Sequence, residues 1–274
     1  MVRPKKHLGQ HFLRDENIAR KIISLINPSI PALVEVGPGM GVLSKYLLGL
    51  KDVECRFLEV DGESVRYLEH TFPEIRNRLV EADFLKYDLN ALFTGSDPFT
   101  LIGNFPYNIS SQILFRVLEF RDRIPEVIGM FQKEVADRIA APPGNKTYGI
   151  LSVLLQAFYD IEHLFGVNES VFVPPPKVKS AVIRLRRNKT VRLSCDEQVF
   201  KRVVKTAFNQ RRKTLRNALK NLDPEWIKSI GRVPGESLSS GSALRPDLLD
   251  QRAEQLSVDD FVMLATEIAK FAKI

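Results

Sequence analysis

The chain is poor in the residues that build covalently stapled or metal-stapled folds. It has two cysteines in 274 residues, Cys55 and Cys195, far apart and without a C-x-x-C partner. That excludes a disulfide framework, a cysteine zinc cluster and an iron–sulfur site, and leaves two thiols in a reducing compartment. The four histidines are scattered without ligand spacing, so no metal is expected. No apolar run approaches the ~18 residues that a membrane helix needs. The basic start, MVRPKKHLGQHFL, lacks the apolar core and cleavage site of a secretory signal. The expectation is a soluble, cytoplasmic protein with no membrane partner. Internal repeats, low-complexity tracts and an obvious oligomer seam are also missing, so a monomer is expected.

What is there is enough apolar residue, 44%, for one large domain with a smaller one beside it. The net charge of +7 is unevenly spread. Between Arg184 and Lys220 stand thirteen Lys/Arg and two acids, a net of +11, which leaves −4 for the rest. A basic segment beside a mildly acidic body points to a polyanion, most simply nucleic acid.

Periodicity divides the chain. DENIARKIISLI (15–26) has helical spacing, with Asp15 as its N-cap. Strand-like runs follow at ALVEVG, VECRFLEVD, RLVEADFL, FTLIGNFP and EVIGMFQ, with helix-like VLSKYLLGL, GESVRYLEHTF, SSQILFRVLEF, KEVADRIAA and YGILSVLLQAFY between and after them. IEHLFGV and SAVIRLRR read as two final strands. Such alternation predicts an α/β domain with a mostly parallel sheet. After RRNKT (186–190) no strand-like run recurs, and helical segments are expected near 196–209, 212–221 and 258–272. The expected division is a domain over 1–190 and a small all-helical one over 191–274.

VEVGPGMG places Gly37, Gly39 and Gly41 directly after the first long strand. Glycines there allow a tight turn and close approach of a ligand. The third follows the second by two residues, where the dinucleotide fingerprint requires three. Pro38 and Glu35 also suit a pyrophosphate poorly. Glu59, closing the second strand, can accept both hydroxyls of a ribose, and Asp83, after the third, can accept an adenine amino group. A nucleoside without phosphates fits these acids, and S-adenosyl-L-methionine (AdoMet) has a ribose, an adenine and a cationic sulfonium.

LIGNFPYNIS (101–110) ends the fourth strand, which in an open α/β sheet lies beside the first with ligands at the carboxyl ends. Asn104 then faces the reacting methyl. An amino group conjugated to a ring is a poor nucleophile. Two acceptors aimed at its hydrogens, the Asn104 side-chain oxygen and a carbonyl of Phe105 or Pro106, favour the pyramidal geometry of attack. Prealigned oxygen dipoles stabilise the positive charge that develops on nitrogen. Pro106 stiffens the turn and has no N–H. Tyr107 offers a face on which a base can stack. Phe172, before the three prolines of SVFVPPPKV, is a second ring for the other face of an extruded base, or else core filler.

These residues resemble a known family. GQHFL, VEVGPGMGVLS, LEVD, EADFL, IGNFPYNIS, QKEVADR, VFVPPPKVKSAV and AFNQRRKTLRNAL occur in the order seen in KsgA-type small-subunit (16S) ribosomal RNA adenine N6,N6-dimethyltransferases, over nearly the whole chain. The resemblance implies a Rossmann-like seven-stranded class I AdoMet-dependent methyltransferase domain with a small all-helical C-terminal domain. It implies dimethylation of two adjacent adenines in the 3′-terminal hairpin loop late in small-subunit biogenesis, with S-adenosyl-L-homocysteine as product and the small subunit and its RNA as partner, not DNA. By motif, the cofactor contacts would be His11, Leu13, Gly37, Glu59, Asp83 and Asn104. Catalysis and target stacking would fall on Asn104, Pro106, Tyr107 and Phe172. Many relatives have Asn where this chain has His11, whose ring can still donate to the methionine carboxylate.

The basic segment becomes the RNA-binding surface in this reading, through Arg211, Arg212, Lys213, Arg216 and Lys220. Arg212, Arg216 and Lys220 are spaced as one helical stripe, with Leu215 and Leu219 packing inward. Lys5, Lys6, Arg186 and Arg187 are expected to add to it. The alternatives are a large-subunit adenine methylase of the antibiotic-resistance type, and a non-catalytic RNA-binding assembly or transcription factor on the same fold.

Overall fold

The computed structural model describes residues 2–93, 95, 97–220, 222, 245 and 247–271. The chain passes between two compact units, one of Met1–Ala136 and Asp160–Arg187, the other of Asp137–Tyr159 and Asn188–Ile274. The second unit thus includes a stretch, 137–159, that the sequence-based boundary at 190 assigned to the first domain.

In the first unit, β1 (Phe12–Leu13) precedes α1 (Glu16–Ile23), which begins where Asp15 accepts hydrogen bonds from the N–H groups of Asn17 (2.8 Å) and Ile18 (3.0 Å). Then come β2 (Ala32–Val36), α2 (Ser44–Leu47), β3 (Glu54–Glu59), α3 (Gly62–Thr71), β4 (Leu79–Glu81), β5 (Phe99–Asn104), α4 (Ser110–Glu119) and β6 (Glu126–Gln132), and α5 (Lys133–Ala140) starts in this unit and ends in the second. Past α6 (Ile150–Gln156) follow β7 (Tyr159–Val167), β8 (Phe172–Val173) and β9 (Ser180–Arg187). The seven-stranded sheet runs β4-β3-β2-β5-β6-β9-β7. Its first five strands are parallel, and β9 is antiparallel to β6. All five residues of β2 are buried, as expected for a parallel strand covered on both faces. The chain leaves β2 toward β3 and β4 on one side and returns through β5 and β6 on the other, so the switch point lies between β2 and β5. Glu35 pairs with Ile102 there, and continuing that register sets Gly37 beside Asn104.

The seven strands read from sequence are the seven of this sheet. The pairing of β1 with β8, Phe12 with Val173 and Leu13 with Phe172, is additional, because two-residue strands have no period to read. Both cysteines are free, and burial pushes the Cys55 thiol up to about 11. Among the described residues no helix is long and apolar enough to cross a membrane.

Among its described residues the second unit is built of helices and the turns between them. α7 (Glu197–Asn209) is capped by Asp196 and buries Val199, Phe200, Val203, Val204 and Ala207 along one face. α8 (Leu215–Ala218) and α9 (Val258–Phe271) follow. The helix expected over 212–221 is therefore shorter, and its residue 221, like residue 272 of the last helix, lies outside the described residues. Thr214 is extended and bridges Arg252, and the Leu215 N–H donates to the Gln251 carbonyl at 2.8 Å. That pairing holds the backbone out of the helical basin until residue 215. Arg212 accordingly sits in a turn and shares no helical stripe with Arg216 and Lys220, whereas Leu215 and Leu219 are fully buried as expected.

Candidate active site

A cleft opens at the carboxyl ends of β2, β3, β4 and β5, entirely within the first unit. The glycine loop forms one wall. Gly37, Gly39 and Gly41 all have positive φ, +69°, +58° and +77°. A Cβ on Gly39 would stand 2.8 Å from the Phe12 ring, so the loop and the N-terminal segment approach each other only because that position is glycine. The Gly39 N–H donates to Glu59 Oε2 and the Asp61 N–H to Glu59 Oε1, each at 2.9 Å. Burial raises the Glu59 carboxyl above its ordinary range, and these backbone donors oppose that. Two of the carboxylate's roughly four lone-pair directions are used, which leaves acceptors for a diol.

Beneath the loop Glu35 is fully buried and takes a hydrogen bond from Ser44 Oγ at 2.7 Å. Burial, with Glu59 nearby, pushes its carboxyl up to about 8. Asp83 lines the cleft, and its Oδ1 accepts the Leu85 N–H at 2.9 Å. Val60, apolar yet 51% exposed, lines the cleft next to Glu59. Sequence reading passed over it; an apolar residue directly after the acid that closes β3 was the available signal.

The opposite wall is the 104–109 loop. Phe105 explains its projection: the ring is 1% exposed and packs edge-on against Phe131, centroids 5.1 Å apart. A Cβ on Gly129 would lie 2.4 Å from both rings, so a glycine in β6 makes their room. With Phe105 anchored inward, Asn104, Pro106 and Tyr107 line the cleft.

Asn104 Nδ2 donates to the His11 carbonyl at 2.8 Å. A carbonyl can only accept, so the amide's orientation is determined and Oδ1 keeps its acceptor capacity. The Pro106 carbonyl already accepts from Ile109 N–H at 3.2 Å, leaving it one lone pair. The Tyr107 ring stacks on the His11 ring, centroids 5.3 Å apart and 29° between planes, and its hydroxyl is hydrogen-bonded to the buried Ser180 Oγ. Burial raises the phenol's pKa, with the Ser180 bond opposing.

The N-terminal segment also lines the cleft, and of it the sequence reading placed only His11 and Leu13 at the site. Leu8, Gly9, Gln10 and Phe12 line the cleft with His11. Lys5 Nζ pairs with Asp61, Gln10 Nε2 donates to Asp61 Oδ2 at 3.2 Å, and Asn108 Nδ2 donates to the His7 carbonyl at 3.1 Å. The motif GQHFL was the only trace of this segment.

Two expected site residues are placed otherwise, and a third is engaged at one ring nitrogen. Phe172 is 2% exposed and belongs to the hydrophobic core, because its pairing with Leu13 turns the ring inward; it presents no face to the cleft. The Leu13 side chain is in the same core. His11 lines the cleft, but its Nδ1 lies 2.7 Å from the Pro174 carbonyl, an acceptor that holds the proton on Nδ1.

Of the expected RNA contacts, Arg211 pairs with Glu254 at 2.7 Å and donates to the Lys146 and Tyr148 carbonyls, a clamp inside the second unit. Arg216 faces Asp250 at 3.5 Å. Arg212, Lys213 and Lys220 are exposed. Lys5 is engaged by Asp61, Arg186 by Glu126 and Arg187 by Asp122.

Residues 1–230 match the family described as ribosomal RNA adenine dimethylase. This chain belongs to that family. The dimethylase is 52% identical over 270 residues to Ribosomal RNA small subunit methyltransferase A of Cytophaga hutchinsonii, covering 98% of each chain. It is likewise 52% identical to the protein of the same name from Bacteroides thetaiotaomicron, over all of this chain and 97% of that one. Among solved structures it is similar to a dimethyladenosine transferase from Plasmodium falciparum, with TM-score 0.73, 25% identity and coverage of 95% and 98% of the two chains. The 23S rRNA methyltransferase ErmE, with TM-score 0.64, 24% identity and coverage of 93% and 99%, shares the fold. This dimethylase is therefore an AdoMet-dependent enzyme with an rRNA substrate, built on the class I methyltransferase fold.

The cleft fits that cofactor on its own chemistry. Glu59 has acceptors left that could take ribose hydroxyls, and exposed Val60 and Asp83 line the same cleft, where they could meet the adenine.

Proposed function

We propose that the enzyme methylates N6 of two adjacent adenines in the 3′-terminal hairpin loop of small-subunit rRNA, twice each, during late assembly of the subunit. AdoMet supplies an electrophilic methyl group and leaves as S-adenosyl-L-homocysteine. The observation that carries the chemistry is the orientation of the Asn104 amide. With Nδ2 committed to the His11 carbonyl, Oδ1 is available to accept one hydrogen of the target amine. The Phe105 or Pro106 carbonyl takes the other, and Tyr107 stacks on the base. Together they favour a pyramidal nitrogen and stabilise its developing positive charge. Glu59 and Asp83 hold the cofactor's ribose and adenine, with Gly37 at the turn. Asn104 need not act as a base, since the cationic nitrogen formed by methyl transfer is strongly acidic and releases its proton readily to leave the neutral methylated amine. No metal is assigned a part, because the leaving group already departs from a cationic centre.

Arg212, Lys213 and Lys220 are proposed as phosphate contacts, and a monomer acting on the small subunit as the working species. Identity of about half over nearly full length with proteins named for the small subunit favours this target over large-subunit RNA. An intact glycine loop and NFPY turn favour catalysis over a purely binding role. The test is to incubate the protein and labelled AdoMet with small subunits lacking the methyl groups, then map the label. Dimethyladenine in the 3′ hairpin is the expected product; label in large-subunit RNA, DNA or protein refutes the proposal.

A further inference from the structure

The run 173–179, from the last residue of β8 to the start of β9, is unusual on this surface. Phe172 and Pro176 turn inward, while Val173, Pro174, Pro175, Lys177, Val178 and Lys179 are exposed. Among the described residues four large apolar side chains are exposed, and two of them are here, Val173 at 38% and Val178 at 47%. Lys177 and Lys179 are exposed cations for which no ion pair is found among the described residues.

Both ends of the run are fastened to the target side of the cleft. The Pro174 carbonyl meets His11 Nδ1, and Ser180 Oγ meets the Tyr107 hydroxyl. The Lys179 carbonyl accepts the Lys133 N–H at 2.9 Å, which ties the run to the start of α5. Three consecutive prolines fix φ, so little conformational entropy remains to be lost on docking. Each proline also lacks an N–H, so the segment cannot extend the sheet. A stiff surface of exposed valine and proline, interleaved with unpaired lysines, matches single-stranded RNA. Its riboses and unstacked bases present apolar faces, and its phosphates present regularly spaced anions.

We infer that loop 173–179 holds the RNA strand flanking the target adenine, with Lys177 and Lys179 on phosphates and Val173 and Val178 against riboses or bases. This rests on the function proposed above. It assigns RNA contact to a part of the catalytic unit lying within one hydrogen bond of both rings of the His11–Tyr107 stack.

The test compares wild type with Lys177→Ala/Lys179→Ala and with Lys177→Arg/Lys179→Arg. Binding is measured across salt concentrations to a protein-free small-subunit hairpin RNA and to undermethylated subunits, and methyl transfer is followed on the subunits. In the alanine variant the log–log salt slope should become shallower by roughly 1.4, two single-strand phosphates at about 0.7 each. KM for RNA should rise several-fold while kcat and AdoMet affinity stay within about twofold, and the arginine variant should restore the slope. An unchanged slope and KM overturn the assignment while wild-type labelling leaves the function standing. A change seen with assembled subunits but absent with protein-free RNA assigns the loop to an acidic protein surface and overturns the RNA contact. A wild type that does not label small-subunit RNA removes the function, and the loop's role with it.

Discussion

Asn104→Asp is the sharpest probe of the amide argument. It keeps an acceptor in the cleft and exchanges the Nδ2 donor for a second acceptor. If the site needed only an oxygen aimed at the amine, the substitution would be mild. The structure predicts otherwise, because the group facing that position is the His11 carbonyl, 2.8 Å from Nδ2. In its ionised form the introduced carboxylate leaves the part-buried His11 carbonyl unpaired, at about 1–3 kcal/mol. That is a loss of roughly 5- to 150-fold in turnover if the carboxylate swings out of position. Protonation restores the donor. A carboxylic acid can give its O–H to the His11 carbonyl and its C=O to the cleft, as the amide does. The variant's single-turnover rate should therefore rise, relative to wild type, as pH falls through the range in which the carboxyl takes up its proton. Asn104→Ala, lacking both groups, should lose at least ~100-fold at every pH. The assay is methyl transfer at saturating RNA, with AdoMet dissociation measured separately to show that cofactor binding survives. Near-wild-type turnover by Asn104→Asp at pH 8 would refute the idea that the His11 carbonyl orients this side chain.

Glu35 gives a pH prediction. Its folded carboxyl is raised to about 8 from an ordinary value near 4.5, so between those limits the folded state holds a proton that the unfolded chain releases. Stability should fall as pH rises through that window, and Glu35→Gln should flatten the decline; parallel urea midpoints from pH 4.5 to 8.5 for the two proteins would contradict this. Gly39→Ala places a side chain at φ +58° with its Cβ 2.8 Å from Phe12, so it should lose about 1–2 kcal/mol from the left-handed backbone alone, with a further loss in AdoMet affinity. Gly144→Ala, at φ +85° with nothing within 4 Å, is the control that should show the backbone effect only in thermal melts. Arg211→Ala should destabilise the protein by about 1–3 kcal/mol through its lost clamp. Arg212→Ala/Lys213→Ala should leave the melting temperature unchanged and make the RNA salt slope shallower by about 1.4–1.8. A steep loss of stability in the latter variant would place those side chains in the fold instead of on the RNA.

The sequence alone determined whatever depends on near neighbours along the chain. Period-two and period-3.6 apolar patterns located the seven strands of the main sheet and most helices, and Asp15 marked the start of α1. Acids closing successive strands fell at one edge because parallel strands share a direction, so Glu59, Asp83, Gly37 and Asn104 could be gathered into one cleft before any coordinates. Tertiary structure alone decided how individual polar and aromatic groups are used. Phe172 reads equally as a stacking ring or a core ring until its pairing with Leu13 buries it. Arg211 and Arg212 are adjacent and chemically identical, yet Glu254, 43 residues on from Arg211, takes one into the fold and leaves the other exposed. The direction of the Asn104 amide is decided by a backbone carbonyl 93 residues away. Hydrogen bonds and ion pairs act over about 3 Å of space, whatever the separation in sequence, so the chain could announce which groups were present but not which of them remained free for a ligand.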